Sequence, residues 1–133
     1  MKFNYKKISS DILRPIIPIE IGHNGFFIWH EVLVDSGADL CIFDAEIGEL
    51  LGVKITEGEK KPVYGITGEG AYYYLHDITI KIGRWPFKIK AGFLPNHSSH
   101  YNYGVVGQKG FFDLFTVKFS LNKEEVELKE VAK

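Results

Sequence analysis

The stretch Val32-Leu33-Val34-Asp35-Ser36-Gly37-Ala38-Asp39 constrains this chain more than any other, because an apolar run there stops abruptly on a carboxylate, a hydroxyl and a glycine. Apolar, β-branched residues in succession read as a strand buried on both faces. Asp35 therefore falls where a core strand breaks into a tight turn. A buried carboxylate is costly unless it is paired, hydrogen-bonded or protonated, so Asp35 has either a turn to cap or chemistry to perform. A turn alone would account for the triplet, since Asp and Ser bond to nearby backbone amides and Gly supplies positive φ. Average usage produces an Asp-Ser/Thr-Gly triplet by chance in roughly one chain in twenty of this length. The triplet by itself does not decide.

Its surroundings narrow the choice. Downstream, Val105-Val106-Gly107 has the look of a second buried strand ending in glycine, and between the two lies a glycine-punctuated hairpin candidate, Tyr64-Gly65-Ile66-Thr67-Gly68-Glu69-Gly70. The Asp-Ser-Gly-Ala core, the glycine hairpin and the apolar-apolar-Gly strand, spread over residues 15–121, resemble the retropepsin-like aspartic peptidases. That is the family of the retroviral proteases and their single-domain cellular relatives. The resemblance implies an all-β fold, a small closed β-barrel with one or two short helices. It also implies that Asp35, Ser36 and Gly37 are catalytic. Substrate would then be contacted by Ala38, Asp39, Val105 and Val106, and by a closing flap at Gly65, Ile66, Thr67 and Gly68. In that frame the Ser36 hydroxyl bonds across a dimer axis, and Asp39 meets the substrate backbone while pairing with a basic residue after the downstream glycine. The family commonly has arginine there, whereas this chain has Gln108-Lys109. Gln108 can hydrogen-bond Asp39 but lacks the charged, bidentate fork of a guanidinium.

Length and composition bound the answer. With 133 residues, 45% of them hydrophobic, residues 1–133 form one domain able to bury roughly two thirds of its unfolded surface. Residues 1–12 read as an arm or edge strand, and residues 123–133 as a charged strand or tail. A net charge of -1, from 16 basic and 17 acidic residues spread along the chain, leaves no electrostatic footprint for nucleic acid or an anionic membrane. No apolar run approaches the ~20 residues that span a bilayer. The single cysteine, Cys41, excludes an intrachain disulfide, and no basic start followed by an apolar core marks a secretion signal. A reducing cytoplasm is the expected compartment.

Along the chain, Pro15 and Pro18 make residues 15–21 read as an edge or irregular strand, and Asn24-Gly25 as a hairpin turn. The following strand, residues 26–34, delivers Asp35. Residues 40–43 are expected as a short strand, followed by Asp44 as the N-cap of a helix that carries Ile47, Leu50 and Leu51 and closes at Gly52. Ile78, Ile80 and Ile82, then Phe87, Ile89 and Ala91, alternate with polar residues and predict two strands joined at Gly83-Arg84-Trp85-Pro86. Phe111, Phe112 and Phe115 suit one face of a second short helix, and Val117-Phe119-Leu121 and Val126-Leu128 alternate as strands.

Peptide hydrolysis by carboxylates needs two of them sharing one proton, because like charges about 3 Å apart cannot both ionise. One Asp-Ser-Gly is present, and Asp39 lies too close along the same segment to be the second member. A complete dyad would join Asp35 of two identical chains. The expectation is thus a homodimeric aspartic endopeptidase acting on a peptide or protein substrate, with no cofactor and no metal. Its rival is the same barrel as a catalytically inactive dimerisation or peptide-binding module, in which residues 35–37 are only a turn. His97-Ser98-Ser99-His100 reads as a polar loop before it reads as a metal site, and Cys41, in its apolar run, as a small buried hydrophobe. The run Tyr72-Tyr73-Tyr74 reads as strand material.

Overall fold

The computed structural model describes residues 1–63, 71–95 and 103–131, and its strands follow the two-residue period of the sequence. In chain order they are β1 (Lys2–Asn4), β2 (Lys6–Ser9), β3 (Ile12–Arg14), β4 (Ile16–His23), β5 (Phe26–Val34), β6 (Ile42–Asp44), β7 (Glu59–Pro62), β8 (Tyr72–Ile82), β9 (Trp85–Leu94), β10 (Gly104–Val106), β11 (Phe115–Ser120) and β12 (Glu125–Glu130). Among the described residues one α-helix, α1 (Ala45–Leu50), follows β6, and two single 3-10 turns lie at Ile55–Glu57 and Leu121–Lys123. The order β4-β5-β10-β6-β9-β8, with β8 returning to β4, closes a barrel of six strands, and β7 extends it from β8. A sheet closed on itself leaves no open edge along its seam. The seam here is Glu20↔Lys81, Ile21↔Ile80 and Gly22↔Thr79.

Alternation decides what fills the barrel. Ile17, Ile19 and Ile21 of β4, Val32 and Val34 of β5, Ile78, Ile80 and Ile82 of β8 and Phe93 of β9 are all buried in one core. Each such side chain contributes about 1.5–3 kcal/mol by leaving water. The β4–β5 hairpin turns on Asn24 (φ 50) and Gly25 (φ 83), both in the left-handed region, as a two-residue type I′ turn requires. The edge character expected of β4 holds for its first half only. Pro18 lies where, among the described residues, β4 pairs with β5 alone, whereas from Glu20 to Gly22 β8 pairs on the other side.

The helix begins as expected, with Asp44 accepting the Glu46 N–H at 2.9 Å, and ends before Gly52 at φ +83. Leu51 is buried while Leu50 points to solvent. The short strand expected at residues 40–43 starts two residues later, at Ile42, and Leu40 instead bridges Lys109. The second helix expected at Phe111, Phe112 and Phe115 does not form. Residues 108–114 turn irregularly, because Gly110 sits at φ +98, outside the right-handed helical region. Phe112 and Asp113 donate to Gly107 O and Gln108 O, five residues back, and the Gly110 N–H donates to Asp113 Oδ1 at 3.0 Å. Phe111 and Phe115 are buried all the same, so the phenylalanine spacing reported burial rather than helix.

Beside the barrel stands a three-stranded sheet, β1-β12-β11. Val126, Leu128 and Phe115 carry it onto the common core, with the rings of Phe87 and Phe115 edge to face at 5.2 Å between centroids. The Met1 ammonium donates to Leu128 O at 2.8 Å.

His30, half-buried on β5, lies with its ring 6.2 Å from that of Phe43. Burial pushes its pKa below 6.5 against the opposing pull of Glu31 and Asp44. The unfolded chain then binds the His30 proton more readily than the folded one, so stability is lost as pH falls through about 6.5. His30→Gln should flatten this acid loss, read as the denaturant midpoint at pH 7 against pH 5; an unchanged pH dependence would acquit His30.

Candidate active site

The site is built where two strands run out side by side. β10 lies parallel to β5, pairing Gly104 with Val32, Val105 with Leu33 and Val106 with Val34. One residue past the ladder, the Asp35 N–H donates to Val106 O at 3.0 Å. The chain then turns sharply: Asp35 O accepts from the Ala38 N–H at 3.1 Å, and Asp35 Oδ1 accepts from the Gly37 N–H at 2.9 Å. The carboxylate caps its own turn through one oxygen. A half-buried Asp35 therefore has its orientation set by backbone before any ligand arrives.

Beyond the turn the chain crosses the segment that follows β10. Ala38 O accepts the Gln108 N–H at 2.8 Å and Asp39 O accepts the Lys109 N–H at 3.0 Å. Gly107 is the point of closest approach. A Cβ there would lie 2.5 Å from Ala38 O and 2.6 Å from Leu40 O, so any side chain would part the crossing. The glycine expected to end a buried strand is required by the backbone it touches.

A groove of about 500 Å³ opens over this turn. Asp35, Gly37, Ala38 and Asp39 form one side; Leu40, Ile42, Phe43, Leu94 and Val105 supply apolar wall, and Asp44, Pro62, Val63, Tyr73 and Tyr103 the remainder. Ser36 is exposed at the tip of the turn. Val105 lines the groove, whereas the Val106 side chain is fully buried in the core. Val106 meets the site through its carbonyl alone, because neighbouring residues of a strand face opposite ways. Gln108 does not reach Asp39. Its Nε2 donates instead to Ser36 O at 3.2 Å, and among the described residues Asp39 forms no ion pair, with Lys109 or otherwise. Gln108→Ala should cost about 0.5–1 kcal/mol, the worth of an exposed hydrogen bond, read by chemical denaturation. A loss several times larger would mean that Gln108 does more than brace Ser36.

Gly65, Ile66, Thr67 and Gly68 lie outside the described residues, as do His97 and His100. β7 and β8 are paired up to Pro62↔Tyr72, and the Val63 N–H donates to Ala71 O at 3.0 Å. The ends of both strands thus meet at the rim of the groove. Among the described residues no cluster of His, Cys, Asp and Glu could hold a metal ion, and no helix is long and apolar enough to cross a membrane. Cys41 is buried, with its Sγ 3.5 Å from Lys109 O. Burial raises its pKa to about 11, which leaves a protonated thiol and no nucleophile.

Sequence reasoning did not single out Tyr73, Leu94 and Tyr103. Tyr103 Oη accepts from Arg14 Nη1 at 2.9 Å across 89 residues of chain. Tyr73 belongs to an aromatic run whose alternation marked a strand but not which strand face borders a groove.

A closed six-stranded barrel in which Asp-Ser-Gly and Val-Val-Gly end adjacent parallel strands is the retropepsin-like fold. The chain matches the crystal structure of a retropepsin-like aspartic protease from Rickettsia conorii with a TM-score of 0.64 and 17% identity, over 96% of this chain and 88% of that one. It matches the retroviral protease-like domain of Ddi1 from Leishmania major with a TM-score of 0.62 and 11% identity, over 89% and 90%. No family model and no curated protein matches the sequence. The likeness at these identities is one of fold.

Proposed function

We propose that the protein is an aspartic endopeptidase in which Asp35 of two identical chains forms the catalytic dyad. The observation that carries this reading is the placement of Asp35, bonded through its backbone to Val106, oriented by the Gly37 N–H and lining the groove. A turn-capping aspartate has no need of a groove. Two Asp35 carboxyls brought together share one proton. The ionised member takes a proton from a water held between them as that water attacks the scissile carbonyl carbon. The protonated member donates to the carbonyl oxygen, giving a tetrahedral intermediate; on its collapse the carboxyl that took the water's proton gives it to the departing nitrogen, the other carboxylate takes one back from a hydroxyl of the intermediate, and the amine leaves. Gly37 and Ala38 lie along the groove beside an extended peptide, Asp39 is exposed to accept from a substrate N–H, and Ile42, Leu94 and Val105 favour apolar side chains flanking the cleaved bond.

The test is cleavage of a mixed peptide library by purified protein, followed as kcat/KM against pH. The profile should be bell-shaped with its maximum on the acid side, since activity needs one proton on the pair. A rate that climbs steadily to about pH 9 would point to another hydrolytic mechanism. That Asp39 forms no ion pair among the described residues favours the rival binding module, for which the same library should be bound and left intact.

A further inference from the structure

The turn that carries Asp35 has a carboxylate to aim and a glycine that loosens it. The Ala38 N–H donates to Asp35 O at 3.1 Å, which makes residues 35–38 a four-residue turn with Ser36 and Gly37 at its centre. The peptide joining those two is the unit whose orientation separates type I from type II turns. Its flip carries the third residue to positive φ, which glycine accepts without steric cost. The φ of Gly37 is not positive, so the turn stands unflipped although its sequence permits both forms.

That orientation serves Asp35. Unflipped, the peptide presents the Gly37 N–H to Asp35 Oδ1 at 2.9 Å. Flipped, the N–H would point away, and the carboxylate would lose the bond that orients it. The other end of the same peptide, Ser36 O, accepts from Gln108 Nε2 at 3.2 Å. Within the glutamine amide only the nitrogen donates, so only the nitrogen can face a carbonyl oxygen. A trans peptide is planar, with its C=O and N–H on opposite sides; a donor that holds the oxygen therefore also holds the N–H on the carboxylate. Gln108 is itself moored at both backbone groups. Its N–H donates to Ala38 O at 2.8 Å, and its C=O accepts the Asp113 N–H at 3.1 Å. Gln108 and Ser36 are both exposed, so their bond adds little to the stability of the fold. Its effect falls on geometry.

We propose that Gln108 is a positioning residue for the reaction, selecting the form of the turn in which the Gly37 N–H orients the Asp35 carboxylate. The inference rests on the reading of Asp35 as half of a dyad. It gives a role to a side chain 72 residues along the chain from Ser36, yet only one peptide plane from the reacting carboxylate. It also accounts for Gln108 reaching Ser36 rather than Asp39.

Two substitutions separate the bond from the bulk of the side chain. Gln108→Met keeps the length and removes the donor, and Gln108→Glu keeps the shape and sets an ionised acceptor against Ser36 O at about pH 6. In Gln108→Met the Gly37 amide hydrogen should exchange with water about three- to tenfold faster by NMR, the opening that one hydrogen bond resists. Over the same range kcat for peptide cleavage should fall by about three- to tenfold with KM within about twofold of wild type, because a misaimed carboxylate slows the chemistry and not the binding. Gln108→Glu should exceed Gln108→Met in both. A brace that served only the fold would leave both readings at wild-type values wherever the chain is folded. Wild-type exchange at Gly37 in the two variants would overturn the inference whatever the activity does, and so would faster exchange with kcat unchanged. A smaller effect in Gln108→Glu than in Gln108→Met would overturn it too, since an acceptor repels where methionine is silent. If the wild-type chain cleaves no peptide, it is the peptidase reading that falls, and the exchange of the Gly37 amide still decides whether Gln108 holds the turn.

Discussion

Asp35→Asn protein should fold as the wild type does and lose almost all of its peptide cleavage. The amide is isosteric with the carboxylate, and its oxygen still accepts the Gly37 N–H that Oδ1 accepts at 2.9 Å, so the turn keeps its shape. What disappears is the shared proton: two carboxamides offer neither a base for the water nor an acid for the carbonyl. Loss of acid and base together should lower kcat by about 10³- to 10⁴-fold, while the denaturation midpoint stays put. The substitution also tests whether two chains build the site. At a ninefold excess of Asp35→Asn chains with subunits free to exchange, only about a tenth of wild-type chains pair with one another, and activity should fall in that proportion. Unchanged activity in a mixture shown by mass spectrometry to contain exchanged dimers would sink the shared dyad.

The second large effect is expected at a residue without a side chain. Gly107→Ala places a Cβ 2.5 Å from Ala38 O and 2.6 Å from Leu40 O. Both obstacles are backbone, held by the Gln108 and Lys109 N–H bonds across the crossing, so no rotamer change relieves the clash. Stability should fall by about 1–3 kcal/mol, as for overpacking of a closed core. Activity should fall further than stability, because the crossing that must open also carries the Asp35 turn; a displacement of about 1 Å at a catalytic group can cost about 10²-fold. Denaturation and kcat/KM measured on the same preparation would show it. Wild-type values for both would mean that the crossing is looser than this geometry requires.

Local chemistry wrote much of this protein in legible form. The isoleucine row of β8 announced its buried face through period two, Asn24-Gly25 its hairpin through the need for two positive φ values, and Asp44 its helix through an N-cap bond to Glu46. Asp35 stood out because a charge closing an apolar run must be compensated. These are effects of residues a few positions apart. The tertiary structure decided what distant segments do to one another. β10 beside β5, the closing seam of β4 on β8, and Gln108 bonded to Ser36 rather than Asp39 join residues tens of positions apart. Such pairings are chosen by which register buries every apolar row at once, a condition on the whole barrel that no local pattern contains. The same condition turned Val106 inward and Val105 to the groove, and bent the phenylalanines after Gly107 into an irregular turn where their spacing alone had allowed a helix.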